Sequence, residues 1–367
     1  MEYLLAHQFR ITKMAYLSKV VFSGFFLAIL TSILLHSCTK DQVLPDDDFI
    51  IDMGDHLFGK MKSDLGSHAI LKPDSTLWIW GMNFSGQLCN DVMESSDVPL
   101  QVPIAEKIVD FDIASGMVTA IDCSGNIWFW GSDLNSSMMW PEITSPINCS
   151  YLKNAKAIGK VAGTHNILRE DGTVWQISIG PDVESVFYEP ELRSDLEQII
   201  AVSQCMALRK NGTLDELFST EPVQGGLVPI EDVMAVQNVV VRRTVVLKED
   251  GTVWAWGKNS LGQLGDGSFE DRTLPVQVKD LDHIVQISAN YDFNLALRED
   301  GTVWFWGFTC VWDEPHDPIG IHTPVRIDNL DHVVSIFAGG KSLVMKNDSS
   351  YWYFDCESRN PYLVPFE

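Results

Sequence analysis

The chain has 367 residues, of which 46% are hydrophobic and 12 are Trp, enough apolar material to fill a large packed core. Acidic residues outnumber basic residues by 50 to 26, which gives a formal net charge of −24 at pH 7. Nucleic-acid binding draws most of its affinity from Lys and Arg that neutralise phosphates. The charge therefore argues against a nucleic-acid partner and favours solubility or a basic partner.

The first predicted element is an almost wholly apolar run at residues 20–35, preceded by Lys13 and Lys19. It is shorter than the ~20 apolar residues that a membrane-spanning helix needs. A basic segment, an apolar segment and a small-residue site are typical of a signal peptide. We therefore predict a signal peptide at residues 1–37, with Met14 as a possible true start. The alternative is an uncleaved single anchor helix.

The end of this run, Leu35-His36-Ser37-Cys38, resembles the lipobox of bacterial lipoproteins, with His36 in place of the usual small residue. The resemblance implies that Cys38 carries a lipid and that residues 1–37 are removed. The chain would then be anchored in the bacterial cell envelope, at the outer membrane, facing the periplasm or the surface. The remaining chain has 23 basic and 49 acidic residues, a net charge of −26.

Residues 39–48, TKDQVLPDDD, are polar and acidic, a composition that cannot bury apolar surface. We therefore predict an acidic flexible tether at residues 38–55. Within it, Asp46-Asp47-Asp48 resembles the acidic tracts with which some Gram-negative bacteria export lipoproteins to the outer face. A merely soluble linker is the alternative.

From residue 56 onward, one block recurs seven times, most clearly as LKEDGTVWAWG from Leu247 and LREDGTVWFWG from Leu297. A period of 40 to 50 residues around a strand–turn–strand unit is the signature of a β-propeller blade. The repeated Thr position is occupied, at steps of 50, 47, 40, 39, 50 and 48 residues, by Thr76, Asn126, Thr173, Thr213, Thr252, Thr302 and Ser350.

Each block predicts a β-hairpin. Asp-Gly or Asn-Gly between apolar runs favours a type I′ turn, as at Asp250-Gly251, with Ser75 and Ser349 as weaker substitutes for Gly. The strand after the turn is apolar on both faces, which indicates burial between two neighbouring blades. Its Trp residues, such as Trp254 and Trp304, are predicted to be core.

Two further strands complete each predicted blade. An alternating segment such as Val333–Phe337 precedes the hairpin, and an edge strand led by Pro99, Pro275 or Pro324 follows it. The predicted fold is all-β: a seven-bladed β-propeller of four-stranded blades over residues 56–367. The last blade supplies its own edge at residues 362–365, so ring closure needs no swapped N-terminal strand.

The string WGKNSLGQLG at residues 256–265 and its second copy at residues 80–88 resemble the repeat of the regulator of chromosome condensation family. Blades 3 and 4 lack the Trp-Gly and Gly-Gln-Leu elements. The resemblance implies a propeller. It also implies guanine-nucleotide exchange, the role of some members, or loop-mediated protein binding, as in secreted bacterial members that inhibit β-lactamases.

No catalytic motif stands out. The sequence has no G-x-S-x-G, H-E-x-x-H or Gly-rich phosphate loop, and we predict no catalytic residue, metal or cofactor. His283 and His332 occupy one repeat position, which predicts a structural role. The six cysteines other than Cys38 have no C-x-x-C spacing, and their pairing stays open.

Two irregular segments are the predicted binding loops, because loops on a rigid scaffold carry function. One contains Met138, Met139 and Trp140, residue types that are enriched at interfaces; its alternative is packing over its own blade. The other, Trp312-Asp313-Glu314-Pro315-His316-Asp317, breaks the repeat. Its carboxylates suit a cation, although a solvated loop is the simpler interpretation.

Three functions follow from these observations. The favoured one is an exported, lipid-anchored propeller that binds an unknown protein or glycan through loops on one face. The second is a glycan- or peptide-processing enzyme with carboxylates at the ring mouth. The third is a guanine-nucleotide exchange factor, which rests on the family resemblance alone and conflicts with export.

Overall fold

The computed structural model contains two compact units, Met1–Asp48 and Phe49–Glu367. All the residues that it describes lie in the second unit. They are residues 60–64, 66–90, 92–114, 116–132, 143–149, 152–161, 164–178, 189–202, 206–216, 227–228, 230–239, 243–313, 317–339, 342–354 and 361–364. These residues form strands, turns and loops without a helix. None of them therefore belongs to a helix long and apolar enough to cross a membrane.

The described residues form 28 strands. Blades 1 to 4 contain β1 Lys60–Asp64, β2 Ser67–Leu71, β3 Leu77–Gly81, β4 Ser96–Gln101; β5 Ile108–Ala114, β6 Met117–Asp122, β7 Ile127–Gly131, β8 Ile143–Cys149; β9 Ala155–Val161, β10 Thr164–Arg169, β11 Val174–Ser178, β12 Glu191–Leu192; β13 Ile199–Val202, β14 Met206–Arg209, β15 Leu214–Glu216, β16 Leu227–Val228. Blades 5 to 7 contain β17 Val233–Val239, β18 Arg243–Lys248, β19 Val253–Gly257, β20 Arg272–Gln277; β21 Ile284–Ala289, β22 Phe293–Arg298, β23 Val303–Asp313, β24 Asp317–Arg326; β25 Val333–Phe337, β26 Ser342–Lys346, β27 Tyr351–Phe354, β28 Tyr362–Leu363.

These strands form seven four-stranded antiparallel sheets, each with its strands in sequence order. Neighbouring sheets contact one another mainly through their first and second strands, and β1 of the first sheet contacts β25 of the last. The sheets are thus the blades of a closed ring, with the first strand of each blade innermost. The predicted seven-bladed propeller of four-stranded blades is confirmed.

Ring closure uses packing rather than an exchanged strand. Blade 7 takes all four strands from its own repeat, ending with β28. The indole Nε1 of Trp80 in blade 1 donates a hydrogen bond to the Tyr353 hydroxyl in blade 7. Met61 and Ile70 of blade 1 share a buried cluster with Leu343 of blade 7. The expectation that no swapped N-terminal strand is needed is confirmed for the described strands.

The hairpin turns differ from the predicted type I′. The N–H of Gly172 donates to the Arg169 carbonyl and the N–H of Arg169 donates to the Thr173 carbonyl, so the loop has three residues. Only its last residue, Gly172, has positive φ. This is a type I turn followed by a G1 bulge, another common hairpin connection. Ser75 and Ser349 take the same left-handed position, at φ of 67° and 65°.

The bulged turn explains the Asp that precedes Gly. Because Asp250 is outside the left-handed region, its Oδ1 can accept hydrogen bonds from both the N–H and the hydroxyl of Thr252. The Thr252 hydroxyl in turn accepts one from Trp254 Nε1. The hydrogen bond from Thr252 is the largest contribution that lowers the pKa of Asp250. The pKa of Asp171 and of Asp348 is lowered in the same way.

The outer strands also differ from expectation. β4 and β20 begin three residues before Pro99 and Pro275, and β24 begins seven residues before Pro324, so each Pro lies inside its strand. Each of these strands is at the edge of its sheet, where a missing N–H on the outward side breaks no ladder bond. The prediction that these Pro residues lie in edge strands is confirmed, and the prediction that the strands begin at Pro was wrong.

The core lies between blades, where clusters combine side chains of two neighbours, for example Leu247 and Val253 of blade 5 with Ile287 and Trp306 of blade 6. The buried tryptophans of the repeat are Trp80, Trp130, Trp256 and Trp306. Trp254 and Trp304 are only half-buried. The prediction that they are core was therefore wrong in degree, because their position lies next to the solvated turn.

His283 and His332 lie at the joints between neighbouring blades. Both have positive φ and directly precede an inner strand. The N–H of Ile284, which follows His283, donates to the Gly251 carbonyl of the previous blade. A Cβ at Gly251 would lie 3.3 Å from the Cα of His283. The predicted structural role of this repeat position is confirmed, because the backbone rather than the imidazole makes the joint.

Candidate functional site

The ring has two faces, which the strand order defines. The turns between the second and third strands lie on one face with the links between blades, as the hydrogen bond from Ile108 N–H to the Ser75 carbonyl shows. We call it the turn face. The turns between the first and second strands lie on the opposite face with the loops between the third and fourth strands, where Met82 N–H bonds the Gly66 carbonyl. We call it the loop face.

The turn face is charged. Its exposed residues include Glu106, Glu170, Asp171, Asp250 and Glu299. None of the exposed large hydrophobic side chains of the described residues belongs to these turns. Such a surface is well solvated, and its described turns offer no apolar anchor to a partner.

The loop face is partly apolar. Among the described residues, six exposed large hydrophobic side chains come from its loops and turns: Met82, Phe84, Val92, Met93, Phe269 and Tyr291. Four of them belong to one segment, residues 82–95, which we call the blade 1 loop. Phe84 is 65% exposed. A cluster of exposed apolar side chains on one loop is a mark of an interaction site.

A buried polar frame holds the blade 1 loop in shape. Asn83 Nδ2 donates to the carbonyls of Val92 and Glu94, at 2.6 and 3.3 Å, and Asn83 Oδ1 accepts from the N–H of Leu88 at 2.9 Å. Gln87 Oε1 accepts from the N–H of Ser85 at 2.8 Å. Asn83, Ser85 and Gln87 are almost completely buried. The loop therefore needs no partner to order it.

The same loop fastens blade 1 to blade 2. The Gln87 carbonyl accepts a hydrogen bond from the indole Nε1 of Trp130 at 2.8 Å. A Cβ at Gly86, which has φ of 74°, would lie 3.0 Å from Thr144. The Gly-Gln-Leu element of the repeat is thus a joint between blades.

Residues 258–271, the blade 5 loop, repeat this frame. Asn259 Nδ2 donates to the carbonyls of Ser268 and Glu270, at 2.9 and 3.1 Å, and its Oδ1 accepts from Leu264 N–H at 2.8 Å. The Gln263 carbonyl accepts from Trp306 Nε1 at 2.9 Å. The two loops therefore align residue by residue at a spacing of 176 positions.

The outward positions of the two loops differ. Met82 and Phe84 in blade 1 correspond to the exposed Lys258 and Ser260 in blade 5. Val92 corresponds to Ser268, which is half-buried and donates its hydroxyl to Asp266 Oδ1 at 2.7 Å. The frame forms with either set, so the fold does not require apolar side chains there. Met93 corresponds to Phe269, which is exposed as well and meets the His322 ring edge-to-face at a centroid distance of 5.0 Å.

A braced turn adds Tyr291 to the loop face. Arg243 of blade 5 is buried, and its Nη2 donates to the Asn290 carbonyl of blade 6 at 2.7 Å. Asn290 Nδ2 donates to the Gly339 carbonyl of blade 7 at 3.0 Å. Burial lowers the pKa of Arg243 to about 10, although Asp292 acts in the opposite direction. The turn is held from both sides, and Tyr291 is 63% exposed.

The two ends of the second predicted binding segment, residues 312–317, belong to strands and not to an irregular loop. Strands β23 and β24 continue their pairing to Trp312 opposite Pro318 and Asp313 opposite Asp317, which makes a long hairpin on the loop face. Gly320 in this hairpin abuts Leu261 of the blade 5 loop. The side chains of Trp312, Asp313 and Asp317 and all of Glu314 and His316 lie outside the described part.

Other predicted site residues also lie outside the described residues: Met138, Met139, Trp140 and Cys38. The strands that flank residues 138–140 end at Gly131 and begin at Ile143, on the loop face. Their proposed binding and lipidation roles stay predictions. Sequence reasoning missed Met82, Phe84, Val92 and Met93, because they lie inside a well-matched repeat rather than in an irregular segment.

Two carboxylates on the inner strand of blade 2 contact Lys side chains of blade 1. On inner strand β5, Asp110 pairs with Lys60 of blade 1, and its Oδ2 accepts from the Ile158 N–H of blade 3 at 3.0 Å. Asp112 lies 3.9 Å from the Lys62 ammonium. Within the described residues, no group of three or more His, Cys, Asp and Glu side chains is arranged to hold a metal ion.

Comparison with known proteins agrees with the architecture. The regulator of chromosome condensation (RCC1) repeat matches residues 250–297, which span the hairpin turn and the third and fourth strands of blade 5, then β21 and nearly all of β22 in blade 6. The ultraviolet-B receptor UVR8 of Arabidopsis thaliana is 40% identical over 57 residues, 15% of this chain and 13% of the receptor. The matched region therefore spans only a small part of that receptor's length.

Solved structures show only distant likeness. Prp20p of Saccharomyces cerevisiae, which is described with its binding to Gsp1p and histones, has a TM-score of 0.48 at 16% identity over 83% of this chain and 76% of that chain. Human WBSCR16 has a TM-score of 0.42 at 14% identity, over 79% of each chain.

The strand order defines a seven-bladed propeller with four antiparallel strands in each blade. The repeat match and the Gly-Gln-Leu joints narrow this class further: the chain is an RCC1-like propeller. RCC1-like propellers are mainly binding and regulatory proteins rather than enzymes.

Proposed function

We propose that this chain is a protein-binding propeller that meets its partner through the loop face. The observation that carries the proposal is the difference between the faces. Exposed apolar side chains gather on the loop face, above all on the blade 1 loop, and the turns of the other face have none in the described residues. Burial of apolar surface stabilises a complex by about 25 cal/mol per Å² before the costs of association.

The rigid frame under these side chains favours binding. A preordered loop loses little conformational entropy when a partner docks, so more of the contact energy appears as affinity. Protein-binding scaffolds are common among RCC1-like propellers. Met and Val offer no hydrogen-bonding groups to orient sugar hydroxyls, so we favour a protein over a glycan.

The alternative of a glycan- or peptide-processing enzyme has less support. It requires available carboxylates at the ring mouth, and the described inner-strand carboxylates Asp110 and Asp112 are held by Lys60 and Lys62. Guanine-nucleotide exchange rests on family resemblance alone.

Photo-cross-linking compares the two faces directly. A photoreactive amino acid is placed singly at Phe84 and Met93 on the loop face, and at Glu106 and Glu170 on the turn face, and the chain is irradiated in its native cells. The proposal predicts partner adducts from the loop-face positions and only background from the turn-face positions. Adducts confined to Glu106 and Glu170 would reverse the assignment.

We also propose that the propeller is exported and anchored to the cell envelope through lipid on Cys38. Support comes from the lipobox-like Leu35-His36-Ser37-Cys38 after the apolar run. Each buried acyl CH₂ contributes ~0.8 kcal/mol, so two or more chains anchor stably. Cys38→Ala is expected to leave an unprocessed or released chain. Wild-type migration and membrane fractionation of this variant would contradict the anchor.

A further inference from the structure

We infer that the blade 1 loop takes a basic, amphipathic helix of the partner protein: its apolar side contacts Met82, Phe84, Val92 and Met93, and its Lys and Arg side chains face Glu94 and Asp97. This inference rests on the proposed function, because it names the chemistry of the partner at the loop face.

Apolar side chains of the blade 1 loop have polar counterparts in the blade 5 loop. At two matched exposed positions, blade 5 carries Lys258 and Ser260 on the same hydrogen-bonded frame. At the third matched position, Ser268 is half-buried and its hydroxyl donates to Asp266 Oδ1 at 2.7 Å, so it belongs to the frame. A folding requirement would act on both loops alike, so the exposed Met82 and Phe84 of blade 1 need another reason. Met side chains adapt their shape to an apolar ligand, and amphipathic helices are recognised through clusters of this kind.

The blade 1 loop also carries carboxylates that no basic residue of the same loop neutralises. Residues 82–97 contain three acidic residues and no basic residue, whereas the corresponding residues 258–273 contain three acidic and two basic residues. In blade 5 those bases neutralise their own loop. Lys258 pairs with Asp271 at 2.6 Å and Arg272 pairs with Asp266 at 2.8 Å.

The blade 1 loop contains no basic residue that could form such pairs within it. Glu94 and Asp97 are exposed, and neither takes part in an ion pair among the described residues. Opposite charge at the rim of an interface speeds association and excludes wrong partners. The cations that the blade 5 loop supplies to itself would reach the blade 1 loop from the partner.

The same charge argues against two other occupants. An anionic lipid surface would repel Glu94, Asp97 and a chain of net charge −24. A second copy of this loop would bring identical carboxylates together, and like charges in contact oppose association.

The test uses synthetic peptides as probes. An 18-residue amphipathic helix of Leu and Lys, its Leu/Glu counterpart and a Ser/Lys peptide without apolar residues are titrated into the 367-residue chain by calorimetry. We expect the Leu/Lys helix to bind at least about tenfold more tightly than either control, with affinity that falls as salt is added.

Matched variants assign the binding to the loop. Met82→Lys with Phe84→Ser and Val92→Ser installs the blade 5 side chains and is expected to weaken the Leu/Lys helix about tenfold or more. Glu94→Gln with Asp97→Asn is expected to weaken it and to flatten its salt dependence. Glu106→Gln with Glu170→Gln removes the same charge from the turn face and is expected to change little.

Equal binding by wild type and both loop variants would overturn the inference, as would equal binding of the Leu/Glu helix. So would loop-dependent binding to phosphatidylcholine–phosphatidylglycerol vesicles in place of the peptide, or loop-dependent dimerisation in sedimentation. Partner cross-links at Phe84 without Leu/Lys binding would leave the proposed function standing and remove only the basic helix. Cross-links confined to the turn face would remove both.

Discussion

The blade 1 loop and the blade 5 loop are two versions of one structure. Asn83 and Asn259 each bind two carbonyls and one N–H of their own loop, and Gln87 and Gln263 each hold the indole of the next blade. Their outward residues share no such constraint. Buried residues that are the same in both loops therefore indicate what the fold requires. Exposed residues that differ between the loops indicate which surface binds a partner.

The largest expected effect concerns the part that the two loops share. Trp306→Ala removes a fully buried indole that packs between blades 5 and 6 and donates to the Gln263 carbonyl. We expect it to lower the free energy of unfolding by about 3–5 kcal/mol. Trp304→Ala, at a half-buried position in the same strand, is expected to cost clearly less. Equal losses in denaturant titrations would show that burial does not separate the two positions.

The frame asparagines come next. Asn83→Ala and Asn259→Ala each leave a loop N–H and two carbonyls without their partner in a buried setting, at a cost of about 1–3 kcal/mol. Because the bonds are the same in both loops, the two variants should fall within about 0.5 kcal/mol of each other. Thermal unfolding measures both. A large difference would mean that the frames are not equivalent.

The Asp residues of the hairpin turns lie outside both loops, and they predict that the stability of the fold falls in acid. The pKa of Asp171, Asp250 and Asp348 is below the ordinary value of 3.8, so the stability they contribute is complete above that value and is lost as pH falls through their folded-state pKa values. Replacing all three by Asn should keep neutral stability close to wild type, since Asn211 makes the same bonds to Thr213 in blade 4. Unfolding curves from pH 7 to 2 should then be flatter than those of wild type. An unchanged acid limb would assign acid unfolding to other groups.

The smallest effect on stability is expected from the outward residues. Met82→Lys with Phe84→Ser and Val92→Ser should change the free energy of unfolding by no more than ~0.5 kcal/mol per exposed site. A loss comparable with that of Asn83→Ala would mean that the apolar side chains serve the fold, and the contrast between the two loops would lose its functional meaning.

The sequence predicted the seven-bladed ring well because the repeated residues are mostly those that the fold buries or places in turns. The steps between Thr76 and Ser350 gave seven blades, and alternation located inner strands such as Val333–Phe337. The turn type was mistaken because Asp-Gly suits both a type I′ turn and a bulged type I turn. The three-residue loop closed by the backbone hydrogen bonds of Arg169 and Gly172, with positive φ at Gly172 alone, distinguishes them.

The candidate surface was harder to predict. Phe84 lies in a segment that matches the repeat, and only the buried frame shows that this side chain points outward. A residue-by-residue alignment of the two copies would have marked Met82, Phe84 and Val92 as apolar exceptions, but exposure cannot be read from the alignment. Trp312 and Asp317 broke the repeat visibly, and their backbone proved to be a continuation of the blade 6 hairpin.

The most direct test of the central claim compares the same position in the two loops. A photoreactive side chain is placed at Phe84 in blade 1 or at its counterpart Ser260 in blade 5, and partner adducts are quantified by mass spectrometry from cells that produce each chain at the same level. We predict that position 84 gives partner adducts in several-fold excess over position 260. Equal yields at the two positions, or adducts at 260 alone, would contradict the assignment of the blade 1 loop as the binding surface.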